Sequence, residues 1–184
     1  MHDTDRRVVY TKKILRSSLM KLLEEKPISR ISVTELCTAA GINRGTFYSH
    51  YRQPEDVLRQ IEDDLVDDIE KVLGTENDMK AIHCSMLRIL ELNRSACRVL
   101  LGPNGSSDCV QRVLEISAKY FKNTWQKPLN LSDDSVKYLS SFIFAGTIQV
   151  LKDWLLNDDG HTADEMAEII NRIQRQFSLE SIVN

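Results

Sequence analysis

The stretch SVTELCTAAGINRGTFYSHY, residues 32–51, decides the fold. It predicts two short helices joined by a tight turn at AGIN. Ser32 followed by Glu35 is a capping-box pattern that starts the first helix. Gly41 supplies the left-handed residue that ends this helix, and Asn43 is a favourable N-cap for the next one. The spacing is that of a helix-turn-helix.

The second of these helices, predicted to continue through Tyr51, has two unlike faces. Phe47 and Tyr51 are four residues apart, so they turn inward together. Ile42 is an apolar plug for the turn, and Ala39 or Ala40 is small enough to lie at the helix crossing. The opposite face keeps the polar side chains. In a helix-turn-helix that face enters the major groove of DNA.

The polar face defines the predicted DNA-binding site. Arg44 lies early in the helix, where it can make a bidentate hydrogen bond to guanine, and Gly45 allows close backbone approach. Hydroxyl and imidazole groups can contact phosphates or thymine methyl groups. Thr34 lies at the start of the preceding helix, whose backbone N–H groups also favour a phosphate. The predicted DNA-binding residues are Thr34, Arg44, Gly45, Thr46, Tyr48, Ser49 and His50.

A packed helical hairpin without a ligand is the alternative interpretation, because short helical turns with glycine are common. The distribution of charge favours DNA. The chain carries a formal net charge of -3, yet residues 1–60 hold a net +4 and residues 61–184 a net −7. A basic segment in an acidic chain suits a polyanionic partner.

The whole 184-residue chain predicts an all-α protein. Glycine and proline are scarce, and alternating strand-like runs are absent. We expect a helix-turn-helix DNA-binding domain at residues 1–53 and a ligand-sensing, dimerising helical bundle at residues 54–184. The short break at 74–77 indicates that the two parts pack together. About nine helices are predicted, at residues 8–25, 32–40, 43–51, 53–74, 78–93, 95–101, 106–126, 133–157 and 162–178.

Other classes of function lack support in the sequence. There is no signal peptide, no apolar run long enough to span a membrane and no catalytic motif, so we expect a cytoplasmic protein that is not an enzyme and needs no cofactor. The acids of EDDLVDDIE, residues 62–70, fit a solvated helix face turned away from DNA better than a metal site. Free thiols are expected, with redox sensing as the alternative, at Cys37, Cys84, Cys97 and Cys109.

Residues 11–58 resemble the DNA-binding domain of TetR-family bacterial regulators. The resemblance rests on SVTEL, AAGI and GTFYSHY, followed by an acid-rich start of the fourth helix. RVLLGPNGSS at 98–107 and YLSSFIFAGTIQVLKDWLL at 138–156 are similar to a C-terminal region of TetR-type regulators from low-GC Gram-positive bacteria. The resemblance implies an all-α homodimer on a palindromic operator, joined through the helices at 133–157 and 162–178.

The resemblance also implies a ligand cavity in the C-terminal bundle, connected to the fourth helix. The ligand would be a small, largely apolar molecule, although a protein effector is the alternative. One departure concerns Pro54, where many members have a lysine that holds a phosphate; Arg52 could take over this contact. The candidate lining residues, each of which also fits a plain hydrophobic core, are Met86, Leu90, Phe121, Trp125 and Phe144.

Three functions therefore compete. The first is a ligand-responsive transcriptional regulator that represses as a dimer on a palindrome. The second is an architectural or protein-partnered DNA-binding factor on the same fold. The third is a helical interaction protein that has lost DNA binding. Arg44, Tyr48 and His50 argue against the third, whereas the absence of the lysine at position 54 favours it.

Overall fold

The computed structural model describes residues 3–76, 78–102, 107–129, 132–157 and 160–176. These residues form nine α-helices and one short 3-10 helix, Ile28–Arg30, with no strand, which confirms the predicted all-α fold. The helices are α1 Asp3–Glu25, α2 Val33–Ala40, α3 Arg44–Tyr48, α4 Pro54–Thr75, α5 Met79–Leu92, α6 Arg94–Leu101, α7 Ser107–Leu129, α8 Asp133–Leu156 and α9 Ala163–Gln176.

Helices α1 to α3 form the first unit and pack on the start of α4. Leu15, Leu19 and Leu23 lie along one side of α1 and are fully or almost fully buried. Helix α1 begins five residues earlier than predicted. Val9, which we expected on the same buried stripe, is 59% exposed. The first turns of α1 therefore extend beyond the helices that cover the rest of its apolar side.

Helix α4 connects this unit to the C-terminal bundle. It packs on α1 and also on α5 and α7. The most extensive helix pair of the bundle is α5 with α9. Pro54 starts α4, where its missing N–H costs no helical hydrogen bond, and Leu73 lies near its other end. One helix thus spans the distance between the two predicted functional regions.

Trp154 fixes the end of α8 in the bundle. Its side chain is 1% exposed, and its indole Nε1–H donates a hydrogen bond to the His161 carbonyl at 2.9 Å. The Arg94 guanidinium lies 5.1 Å from the ring centroid and also donates to the Trp154 carbonyl at 2.7 Å. This cation satisfies a carbonyl that the helix end leaves unpaired.

Several helix boundaries differ from the predicted ones. Helix α7 continues to Leu129, three residues beyond the predicted end, and α6 begins at Arg94, one residue early. The predicted last residues of α9, 177–178, lie outside the described residues. The predicted capping box of α9 is confirmed, because Thr162 N–H donates to the Glu165 carboxylate at 2.8 Å and Glu165 N–H donates to the Thr162 hydroxyl at 3.3 Å.

The four cysteines are free thiols, as the first interpretation of the sequence predicts. Burial raises the pKa of the Cys97 thiol to about 12 and that of Cys109 to about 11. Burial also raises the pKa of Cys37. A thiolate is the reactive form of cysteine, so these three side chains are unreactive packing residues at neutral pH.

A buried polar contact joins α5 to α9. The Nδ1 atom of His83 lies 2.7 Å from the Oδ1 atom of Asn171, and both residues are more than nine-tenths buried. Burial lowers the pKa of His83 below its ordinary value of 6.5, with the Asn171 hydrogen bond acting in the opposite direction as a smaller effect. The imidazole is therefore neutral at pH 7.

This pair predicts that the protein loses stability in acid. Because the unfolded chain binds a proton at His83 more readily than the folded chain does, the free energy of unfolding falls as the pH drops below about 6.5, by at most about 1.4 kcal/mol per pH unit. Urea denaturation at pH 7.5 and pH 5.5 measures the loss. A His83→Gln variant should show a smaller loss over this interval, and an identical loss in both proteins would contradict the assignment.

Candidate nucleic-acid interface

Helix α2 starts at Ser32, as predicted, but the capping box is only half formed. The Ser32 hydroxyl accepts a hydrogen bond from the Glu35 N–H at 3.2 Å. The Glu35 carboxylate instead forms an ion pair with Lys26, which precedes the 3-10 helix. The hydrogen bond that the Lys26 ammonium donates to this carboxylate is the main reason that the pKa of Glu35 is lowered. Glu35 therefore ties α2 to the end of α1 and does not close the cap.

The turn between α2 and α3 follows the prediction closely. Gly41 has φ 64° and ψ 32°, a left-handed conformation that side chains other than glycine rarely adopt. Its N–H and that of Ile42 donate to carbonyls in the last turn of α2. The small residue at the crossing is Ala40, which packs against the core, whereas Ala39 is exposed.

Asn43 caps α3 with two hydrogen bonds. Its Oδ1 atom accepts from the Thr46 N–H at 2.7 Å and from the Thr46 hydroxyl at 3.1 Å. The Ser49 hydroxyl donates to the Thr46 carbonyl at 2.7 Å. Helix α3 ends at Tyr48, before the predicted end at Tyr51, because Ser49 and His50 form a turn. The His50 and Tyr51 N–H groups both bond to the Phe47 carbonyl.

The two faces of α3 are separated as the sequence predicts. Phe47 is 0% exposed and Tyr51 is 6% exposed, and their ring centroids lie 6.0 Å apart. Tyr48 is 51% exposed and packs its ring edge against Phe47. The Arg44 guanidinium lies 5.8 Å from the Tyr48 ring and donates to its hydroxyl at 3.4 Å. This contact extends Arg44 along the exposed face of the helix.

The remaining predicted DNA-binding residues are all at least partly accessible. Thr34, Gly45 and Ser49 are exposed, while Thr46 and His50 are half-buried. The hydroxyl hydrogens of Thr46 and Ser49 are already donated within the turn. These two hydroxyls thus shape the loop, whereas Arg44 and Tyr48 bond to each other on the outside of the helix.

A polar cleft of about 510 Å³ lies between the end of α3 and the start of α4. Its two carboxylates are engaged. Asp56 accepts from the N–H groups of Arg52 and Gln53, at 2.9 and 3.2 Å, and these bonds help lower its pKa. Asp63 forms an ion pair with Arg112 of α7 at 2.7 Å. The lining residues are Tyr48, Ser49, His50, Tyr51, Arg52, Asp56, Arg59, Gln60 and Asp63.

Two arginines line this cleft. Arg52 and Arg59 are both exposed, and within the described part of the chain neither side chain forms an ion pair. Sequence reasoning identified Arg52 but missed Arg59. The signal was present, since Arg59 is a basic residue five positions after Pro54 on the same helix. The acidic residues near Arg59 in the sequence made it look like part of an acidic helix, because their ion pairs with distant arginines are visible only in the structure.

The acidic run of α4 does not form one solvated face. Glu62 is 6% exposed, so the expectation that it faces solvent is wrong. Asp64 pairs with Arg16 of α1 at 2.6 Å, and Asp63 lines the cleft instead of pointing away from it. No cluster of three or more histidine, cysteine and acidic side chains suitable for a metal ion occurs among the described residues.

Two small cavities lie in the C-terminal bundle, at the predicted ligand site. The larger, of about 110 Å³, is bounded by residues of α4, α5, α7, α8 and α9, among them Met86 and Phe144. The smaller, of about 80 Å³, also borders Met86 and includes Leu90. The side chains of Phe121 and Trp125, the other two predicted lining residues, lie outside the described residues. No helix in the described ranges is both long and apolar enough to cross a bilayer.

These features define the class of protein: a helical transcriptional regulator with an N-terminal helix-turn-helix. The family described as bacterial regulatory proteins, tetR family, matches residues 15–61, and a transcriptional regulator C-terminal region of the TetR group matches residues 77–176. The chain belongs to the TetR family of DNA-binding transcriptional regulators. It is therefore a regulator and not an enzyme, as the sequence predicts.

Individual relatives agree with this assignment. The regulator EthR of Mycobacterium tuberculosis is 41% identical over 54 residues, which cover 29% of this chain and 25% of the relative. The match thus spans about a quarter of the length of this curated relative. A TetR regulator from Streptococcus agalactiae has the same fold, with a TM-score of 0.65, 22% identity and coverage of 92% and 96% of the two chains. A regulator from Aquifex aeolicus gives a TM-score of 0.71 at 16% identity, covering 91% and 99%.

The cap at Asn43 predicts a measurable stability loss. An Asn43→Ala variant should lower the free energy of unfolding by about 1 kcal/mol, because the Thr46 N–H loses its acceptor at the start of a five-residue helix. Urea denaturation of the full chain measures the change. Asn43→Asp, which keeps an acceptor oxygen, is the matched control; equal losses in both variants would show that the cap is not the cause.

Proposed function

We propose that this chain is a ligand-responsive repressor that binds a palindromic operator as a homodimer in the bacterial cytoplasm, on the nucleoid when DNA-bound. The observation that carries the proposal is the division of α3. Its Phe47 is fully buried, while Arg44 and Tyr48 are exposed together on the opposite side. A recognition helix needs this combination, because it must be held firmly and still offer hydrogen-bonding groups to base edges.

In this proposal residues 1–53 bind DNA, and the contacts divide by chemistry. Arg44 reads a base edge, for which its guanidinium can make two hydrogen bonds to guanine. Tyr48, His50 and the exposed Thr34 contact phosphates, which fix the position of the protein on the duplex. Thr46 and Ser49 keep the loop in shape through their internal hydrogen bonds. Gly45 lets the backbone approach the groove.

Arg52 and Arg59 replace the phosphate contact that Pro54 removes. Both side chains border the cleft next to His50, and the carboxylates beside them are used by backbone N–H groups or by Arg112. With Arg112, which pairs with Asp63, three arginines face two carboxylates, so the cleft keeps a net positive charge. Phosphate neutralisation by such side chains supplies affinity that is independent of base sequence.

Dimerisation through α8 and α9 is supported by an unusual apolar exposure. Tyr138 and Phe142 of α8 are 68% and 63% exposed, and Ile173 of α9 is 43% exposed. A groove of about 340 Å³ is lined by residues of both helices, among them Ala145 and Gly146. Large side chains beside small ones form a self-complementary surface of the kind that an isologous dimer uses.

Residues 54–184 then sense the ligand and carry the signal. Leu73 of α4 lines the larger cavity, and the opposite end of the same helix borders the DNA-binding cleft. A ligand that favours one position of α4 changes the spacing of the two recognition helices, which must match half-sites about 34 Å apart. The small volume of the cavity also favours a second candidate, a regulator switched by a protein partner.

The DNA contacts predict two distinct mutant phenotypes. In gel-shift titrations with the DNA upstream of its own gene and with random DNA, Arg44→Ala should lose about 1–3 kcal/mol of discrimination between them. Arg59→Gln should weaken binding to both DNAs alike and lower the slope of log affinity against log salt by about one. Tyr48→Phe should weaken the complex through loss of one hydroxyl.

Lys71→Gln is the matched control for Arg59→Gln. Lys71 is an exposed cation on α4, twelve residues further along, and pairs only with Asp68 among the described residues. The Lys71→Gln substitution should leave unchanged both the affinity for DNA and the slope of log affinity against log salt. Wild-type binding of equal strength to the upstream and random DNA would overturn the operator proposal in favour of an architectural factor, and no shift at low salt would mean that DNA binding has been lost.

The exposed surface of α8 predicts the assembly state. A Phe142→Glu variant should raise the dimer dissociation constant at least about a hundredfold, because each dimer loses two buried aromatic side chains and gains two facing charges. Analytical ultracentrifugation measures the change. Leu92→Glu makes the same substitution at the 86% exposed Leu92 of α5 and should leave the dimer intact. A monomeric wild-type protein would contradict the proposal.

A further inference from the structure

The larger cavity of the bundle has a specific chemical character. Its lining is apolar for the most part, including Met86, Phe144 and Leu151, and its polar groups are neutral. No acidic side chain, lysine or arginine occurs among its described lining residues. Transferring an ion into such surroundings without a partner charge is costly. The lining therefore favours neutral ligands over carboxylates and ammonium ions.

His83 is a directional polar group of this lining, held in place by a buried partner, whereas Gln174 and Thr147 bond to each other at 3.4 Å. The residue is 9% exposed, and its Nδ1–H donates to the Oδ1 atom of Asn171 at 2.7 Å. Asn171 is itself 7% exposed, so the ring cannot turn without leaving a buried carbonyl unpaired. In a neutral imidazole with a proton on Nδ1, the Nε2 atom is a hydrogen-bond acceptor. Within the described residues this atom has no hydrogen-bond partner.

The volume sets the size of the ligand. A cavity of about 110 Å³ is close to the roughly 150 Å³ of an engineered apolar cavity that holds a benzene molecule. The smaller cavity of about 80 Å³ shares Met86, Val113, Ile148 and Leu151 with the larger one. Methionine is flexible enough to shift between rotamers, so an alkyl substituent of the ligand could enter the second space.

We propose that the cavity binds a compact neutral alcohol or phenol, whose ring or short chain fills the apolar space and whose hydroxyl donates a hydrogen bond to Nε2 of His83. This inference rests on the proposed ligand-responsive function and specifies the ligand class of that site. Asn171 is a positioning residue, because it acts on the ligand only through the orientation and tautomer of His83. Isosteric molecules without the hydroxyl lack the hydrogen bond, and anions lack a compensating charge.

Calorimetric titration of the full-length, DNA-free protein at pH 7.5 with phenol, toluene and benzoate tests this proposal. Phenol should bind with one site per chain, at least as tightly as toluene despite the cost of desolvating its hydroxyl, and benzoate should not bind measurably. Binding of benzoate as tight as that of phenol, toluene binding at least tenfold tighter than phenol, or no binding of phenol would each overturn the proposal. This comparison requires no variant.

Variants of α5 then locate the hydrogen bond. In His83→Leu the ratio of phenol affinity to toluene affinity should fall about tenfold, which corresponds to roughly 1.4 kcal/mol. Ser85→Ala, on the same helix but outside the cavity lining, should leave the ratio unchanged. An unchanged ratio in a folded His83→Leu protein would contradict the role of His83.

The two proposals fail in different ways. Phenol that binds the free protein but does not release it from operator DNA would leave this site standing and contradict the proposed ligand response. Release of DNA by a ligand that does not compete with phenol would support the response and place its effector elsewhere.

Discussion

The burial of Phe47 is the contact on which the proposed DNA-binding surface depends. Helix α3 has only five residues, and an isolated helix of that length is unstable in water. Phe47 belongs to the same buried cluster as Leu15 and Leu19 of α1 and Val57 of α4. Helix α3, the proposed recognition helix, therefore takes its position from two longer helices. Any movement of α1 relative to α4 must change the orientation of the side chains that α3 exposes.

Hydrogen bonds inside the turn reinforce this dependence. The left-handed Gly41 and the cap at Asn43 determine where α2 stops and α3 starts. The hydroxyl groups of Thr46 and Ser49 donate their hydrogen bonds within this loop. These two hydroxyl hydrogens are therefore not available to DNA. Arg44 and Tyr48 instead contact each other on the outer face, where the proposed function needs their polar groups.

Sequence patterns were sufficient for the architecture because helix signals are local. Helical spacing, the cap residues and the AGIN turn depend on residues within a few positions of one another, and the helices they predict are present. The end of α3 was less predictable. An inward-facing Tyr51 is compatible with a helix that continues to it and also with the turn that the structure has there, so its pattern does not locate the helix end. Glu35 binds Lys26 instead of closing its own cap, a choice between two nearby partners that propensity cannot decide.

The errors at the site share a different cause, which is the pairing of charges between helices. In the sequence, Asp63 and Asp64 belong to an acidic run that suggests solvent. In the structure they pair with Arg112 of α7 and Arg16 of α1, while Glu62 is buried. Such partners are 48 or more residues apart, so no local pattern contains them. The same pairing conceals Arg59, an exposed arginine without a salt bridge among the described residues.

These ion pairs also determine how the proposed ligand signal can travel. Leu73 and Pro54 are 19 positions apart on α4, which corresponds to about 29 Å along the helix axis. Val113 of α7 lines both cavities. The residue before it, Arg112, forms an ion pair with Asp63 near the middle of α4. A shift of α7 therefore acts on α4 halfway along its length, with Arg16 holding the next residue to α1. Helix α4 is thereby restrained from two sides at Asp63 and Asp64. In the proposed ligand response, rotation of α4 about this point would move its cavity end and its opposite end in opposite directions, which is how a ligand could favour one of two positions of the helix.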